Sequence, residues 1–174
     1  MSECPPPTAE AVEDADDAHC HVHTKKQVGS AVGRGVLRCV CGVEPGDWAL
    51  LASFAAEHSG VAPAYGVHPW HAPRVQRCEA DVPWRALLAE RLCVPCAPAP
   101  VCWPLVGEIG LDHAATDRET GEPLDAAAQD AVFAAQWALA VRLRRGVCVH
   151  CVRAHGALFD RCRAGEAAER AGLK

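Results

Sequence analysis

From residue 35 onward, short β-branched apolar runs alternate with stretches of helical periodicity, and this alternation leaves the chain few architectures. "GVLRCVCGV" (Gly35 to Val43) is short, valine-rich and closed by "EPGD", which predicts a buried strand. Asp47 stands at the N-cap position of a helix over "WALLASFAAEH" that ends before Gly60. "VAPAYGVHPW" predicts a second strand, broken at Pro69, and "DVPWRALLAERL" a helix with Pro83 near its first turn. A proline-rich loop, "CVPCAPAPVCWP", leads into the strand "LVGEIGLD". The longest helical signal runs from Asp125 to Arg145, with Phe133, Trp137, Ala140 and Val141 on one face. Arg142, Arg144 and Arg145 occupy its last turn, where cations complement the helix dipole, and Gly146 stops it. "VCVHCV" follows as a strand and "GALFDRCRAGEAAERAG" as a last helix.

With a first strand at "DAHCHVH", the order becomes one β-segment followed by repeated β-α units. Such an order predicts a parallel sheet with right-handed crossovers. Periodicity by itself leaves a doubly wound sheet and a barrel both open. Neither GxGxxG nor a GxxxxGK loop occurs, so the usual glycine-rich phosphate cradles are absent. The 174 residues suffice for one domain with a real core. Aromatics are only 5% of them, so Ala, Val, Leu and Cys must fill most of the interior. Residues 1–16, with "PPP" and an acidic run, bury little and predict a flexible tail, which places the folded domain at 17–174.

A net charge of −5 argues against a sequence-independent DNA binder with a broad basic surface. It leaves room for a phosphate-handling site whose positive charge comes from bound cations. Eleven cysteines, an odd number, follow an N-terminus without an apolar secretory core. Free thiols in a reducing compartment, cytoplasmic or nuclear, are the expectation. No apolar run reaches the length of a membrane span, so no membrane partner is expected.

Four segments carry candidate chemistry. In a strand, His19 and His21 would project from one face, a geometry that suits a divalent transition metal. "VGEIGLD" places Glu108 at the end of a strand, immediately before a loop; "YGVHPW" places His68 at the end of another; "VCVHCV" places His150 inside an otherwise apolar strand. In parallel α/β folds, chemistry gathers at the carboxyl ends of strands. An imidazole or carboxylate in such strands is expensive to bury unless it is paired or ligated.

"DAHCHVH", "YGVHPW", "VGEIGLD" and "QDAVFAAQWALAVRLRRGVCVHCVRAH" occur in the order and rough spacing of the TatD-related metal-dependent hydrolases, and the chain resembles that family from about Asp17 to Asp160. The resemblance implies a partial TIM-type (β/α) barrel with parallel strands, about five of the eight β/α units. It implies a divalent-metal-dependent nuclease acting on DNA or another phosphodiester, with two divalent ions of Mg, Mn or Zn. His19 and His21 resemble the HxH ligands of the first strand, Glu108 the carboxylate bridging two metals, and His150 the histidine ligand of the fifth strand. His68 resembles the histidine of the third-strand HP motif, near the substrate phosphate. Asp112 and Arg153 lie in matching segments and join the catalytic candidates.

Two departures shape the expectation. The family's aspartate shortly after HxH is replaced by "HVHTKKQ". The family's later histidine and last-strand aspartate have no counterpart before Lys174. The expectation is therefore weak or no nuclease activity for residues 1–174, with an open sheet edge available for self-association or a complementing chain. Three alternatives compete: a zinc scaffold built on Cys39/Cys41, Cys93/Cys96 and Cys148/Cys151; an amidase or deaminase; and a non-catalytic pseudoenzyme that binds a partner. Ordinary zinc-ribbon spacing does not fit the first, and Cys148 and Cys151 would face opposite ways in a strand. Glu108 stands where amidases commonly carry a carboxylated lysine, which favours the phosphodiester.

Overall fold

The computed structural model of the chain describes residues 17–20, 38–80, 82–95 and 103–172. Strands β1 (Asp17–Cys20), β2 (Arg38–Cys41), β3 (Val61–Tyr65), β4 (Leu105–Asp112) and β5 (Val147–Val152) form one sheet in the order β1-β2-β3-β4-β5. Every pairing is parallel. A doubly wound sheet reverses its strand order at a switch point. Here each strand lies beside its predecessor, so the sheet curls one way, as part of a (β/α) barrel. The helices are α1 (Trp48–Glu57), α2 (Ala72–Arg77), α3 (Trp84–Leu92), α4 (Ala126–Leu143) and α5 (His155–Gly172). None of them is long and apolar enough to cross a membrane.

Strand alternation sorts the core into two clusters. Val40, Val61, Tyr65, Val106, Ile109 and Leu111 meet Trp48, Leu51, Trp84, Leu88 and Phe133 of the helices. On the opposite face Cys39, Cys41 and Ala64 pack with half-buried Leu105 and Cys148. The scarce aromatics thus fill the wide helix–sheet layer, and small thiols and methyls fill the narrow inner face. Cys151 packs on the helix side and Cys148 on the inner side, opposite ways as their spacing requires.

One irregularity in β4 matters for the site. Val106 pairs with Val147 and Ile109 with Val149, so β4 carries one more residue than β5 over that interval. Val106 and Ile109 both reach the helix-side core although three residues apart, which the extra residue allows. The same bulge turns Glu108 onto the inner face.

Several local expectations are revised. Glu108 lies inside β4, and it is Asp112 that ends the strand. Asp47 is the N-cap residue of α1 but makes no side-chain cap bond; its Oδ2 accepts from Val43 N (2.9 Å), upstream of the helix. Helix α4 buries Gln129, Val132, Phe133, Gln136, Leu139 and Ala140, whereas Trp137 is only partly buried. Its last residue is Leu143; Arg144 takes the left-handed conformation (φ 52°) and donates its N–H to Ala140 and Val141 carbonyls, so the stop precedes Gly146. Helix α2, absent from the sequence reading, starts directly after the HP motif with Pro73 in its first turn. Among the described residues β5 ends the sheet, and Val147, Val149 and Val152 are exposed there.

Candidate metal centre

Strands β4 and β5, with His68 from the segment three residues beyond the end of β3 rather than from the strand itself, deliver a compact polar cluster to the inner face. His150 Nδ1 lies 3.1 Å from Glu108 Oε1 and 3.2 Å from His68 Nε2. His68 Nε2 is 3.7 Å from Glu108 Oε2. One ligand atom from each of His68, Glu108 and His150 falls within 4.8 Å of the others. On its far side His150 Nε2 meets Asp112 Oδ2 at 3.1 Å. His68, Glu108 and Asp112 are buried. Two carboxylates and two imidazoles held away from water are costly unless they satisfy one another or a cation.

Hydrogen bonds at the outer ring atoms orient both imidazoles. Trp70 donates its backbone N–H to His68 Nδ1 (3.2 Å), so a neutral His68 carries its proton on Nε2. With Asp112 accepting from His150 Nε2, a neutral His150 presents a bare Nδ1 to both His68 and Glu108. A cation among the three would take one ligand atom from each. Two imidazoles and a carboxylate are borderline donors that fit a divalent transition ion, so the residues present suit such a group.

The backbone around the cluster is clamped. Gln129 and Gln136, seven residues apart and so on one face of α4, are both buried. Gln129 takes Asp112 N–H on Oε1 (2.7 Å) and gives Nε2–H to Asp112 O (3.0 Å). Gln136 does the same for Val67, at 2.6 and 3.1 Å. His68 N–H donates to Val43 O (2.8 Å) and Glu108 N–H to Gly42 O (3.1 Å). Glycines allow the close strand approach: a Cβ on Gly110 would stand 1.8 Å from the His150 carbonyl oxygen, and one on Gly107 would stand 2.7 Å from Cys148 Cβ.

Asp112 acts as an anchor. It accepts from Trp70 Nε1 (2.7 Å), Ala114 N (3.0 Å) and His150 Nε2. Burial pushes its carboxyl up, but these hydrogen bonds outweigh burial and hold it below its ordinary value. A carboxylate that orients the distal nitrogen of a ligand histidine is the usual supporting partner in metal sites.

The structure therefore joins Glu108, His150, Asp112 and His68. His68 shares the cluster. Arg153 follows β5 with φ 52°, is exposed, and makes no contact with these groups among the described residues. His19 falls in β1, which pairs with β2; its side chain, and His21 entirely, lie outside the described residues. So do Cys96 and the partner it would supply to Cys93. Sequence reasoning missed Trp70, Gln129 and Gln136. The glutamine pair carried a signal, since two amides at a spacing of seven on an alanine-rich helix are out of place unless they bind backbone.

A sequentially ordered parallel sheet with histidines and carboxylates gathered on its inner face defines a (β/α)-barrel protein with a histidine–carboxylate centre. A family model described as TatD related DNase matches residues 16–173, and the chain belongs to that family. It is 30% identical over 151 residues to the 3′-5′ ssDNA/RNA exonuclease TatD of Yersinia pseudotuberculosis serotype O:3 (strain YPIII), covering 86% of this chain and 50% of that protein. It matches the crystal structure of YJJV, a TatD homologue from Escherichia coli K12, with a TM-score of 0.64 and 25% identity, over 88% of this chain and 57% of that one. The chain spans about half the length of the curated relative it matches.

Proposed function

We propose that the cluster serves divalent-metal-dependent hydrolysis of phosphodiester bonds, with single-stranded DNA as the substrate. The observation that carries the reading is the convergence of His68, Glu108 and His150, each offering one ligand atom within 4.8 Å of the others. These three side chains would hold one ion. His19 and His21, by the family pattern, would contribute to a second. When bound, divalent cations neutralise a phosphate and acidify water near neutral pH. Imidazole donors favour Zn or Mn over Mg.

The chain's own residues do the rest. Asp112 holds His150 by Nε2–H, so that Nδ1 faces the site. Gln129 and Gln136 fix the backbones that carry Asp112 and His68. His68 Nε2, the ring atom that faces His150 and Glu108, is the one that would hold an ion. Arg153, which follows β5, would supply a cation for an incoming phosphate.

Metal content and cleavage test the reading together. The 174-residue chain, dialysed against Mn or Zn, should retain metal, and His150→Ala and Glu108→Gln should lose it, while Cys148→Ser keeps it. Under single-turnover conditions, with protein in excess over a labelled strand, cleavage should be abolished by EDTA and by either variant. Metal content insensitive to His150→Ala, or cleavage insensitive to EDTA, overturns the proposal.

A further inference from the structure

Next to the cluster lies a cavity of about 660 Å³, lined by His68 and Trp70 on one side and by Thr116, Arg118 and Leu124 on the other. Its volume falls in the range of small-ligand sites. Trp70 is 48% exposed, yet it is not loose. Its Nε1–H is pinned to Asp112 Oδ2 at 2.7 Å, and its ring stands edge-on to His68 (centroids 4.8 Å apart) and His150 (6.3 Å). The Arg118 guanidinium carbon sits 5.9 Å from the ring centroid. An aromatic plane held by its edge, open to a cavity and accompanied by a cation, is the arrangement that stacks nucleic-acid bases.

We infer that Trp70 and Arg118 form a base-stacking subsite, in which the nucleobase beside the reacting phosphodiester lies on the Trp70 ring beside the Arg118 guanidinium. The choice of ligand rests on the phosphodiesterase reading above. Pinning the indole lowers the entropic cost of binding, because the stacking plane is set before the strand arrives. The shared Asp112 then ties base to chemistry: the carboxylate that orients His150 also orients the indole. Asp117 and Glu119 also line the cavity. Asp117 is taken up by Glu119 N, Thr120 N and Thr120 Oγ1 within its own turn.

The test separates bases from phosphates. The full chain is titrated in EDTA, where no cleavage occurs, with (dT)8 and with an abasic octamer of equal phosphate count, following tryptophan fluorescence. The base-bearing strand should bind about tenfold tighter, as expected for one stacked base, and should quench fluorescence. Trp70→Phe should remove most of that quenching. Arg118→Ala, an exposed position where folding is not at risk, should narrow the preference, and Trp70→Ala should abolish it. Equal affinity of the two strands, or a preference unchanged in both Arg118→Ala and Trp70→Ala, overturns the inference. Mn-dependent cleavage of both strands without base preference sinks the subsite and leaves the hydrolase. Base-dependent binding with no metal-dependent cleavage does the reverse.

Discussion

Replacing Gln129 by leucine should cost about 3 kcal/mol of stability. The side chain is 1% exposed and serves both backbone groups of Asp112, at 2.7 and 3.0 Å. Leucine nearly conserves the volume, so the cavity term is small. What remains is an N–H and a C=O stranded away from water, each costing about 1–3 kcal/mol. The better transfer of leucine into the core offsets part of that sum. A loss of this size is a large share of the roughly 5–15 kcal/mol that holds a domain together. Urea unfolding should show a lower midpoint with an unchanged slope. Gln136→Leu should behave alike at Val67, and because the two sites lie about 10 Å apart along α4, the losses should add in the double variant. A loss below about 1 kcal/mol for Gln129→Leu would mean that Asp112's backbone finds other partners, and the clamp argument would fail.

Gly110→Ala should prevent β4 from pairing with β5, since its Cβ would meet the His150 carbonyl oxygen at 1.8 Å; the readout is loss of cooperative thermal unfolding, and a variant melting like wild type refutes the close approach. Asp125→Ala should cost about 1 kcal/mol in chemical unfolding, because its Oδ1 caps Ala127 N (2.9 Å) and Ala128 N (3.1 Å) at the start of α4. The backbone N–H groups of Thr120 and Glu119 hold the Asp117 carboxyl below its ordinary value of 3.8. The unfolded chain therefore binds the proton first, so this contribution is complete above the unfolded value and is lost as pH falls through the folded one. Asp117→Asn should flatten the acid limb of a melting-temperature profile below about pH 4, and an unchanged limb counts against it.

Much of the order of elements was legible before any coordinates. The strands around Val40, Val61, Val106 and Val149, and the helices after Asp47, Pro83 and Asp125, follow from β-branched runs, caps and helical spacing, which are local properties. Helix α2 was not legible, because a six-residue helix has too little periodicity to register. The choice between doubly wound sheet and barrel was equally hidden from periodicity, since both use the same β-α units and differ only in which strands are neighbours.

The sequence by itself determined which side chains were available for chemistry: His68, Glu108 and His150 stand out because polar groups in apolar strands need partners, and Asp112 through its place in a segment that resembles the family. Which of them meet was decided by tertiary structure alone. The extra residue between Val106 and Ile109 turns Glu108 inward, Gly110 lets β4 close on His150, and Gln129 fixes Asp112 from a helix beyond the strand. Each of these depends on pairing register or on a contact across the chain. Spacing along a chain measures neither, because a one-residue change of register reverses the face a side chain occupies.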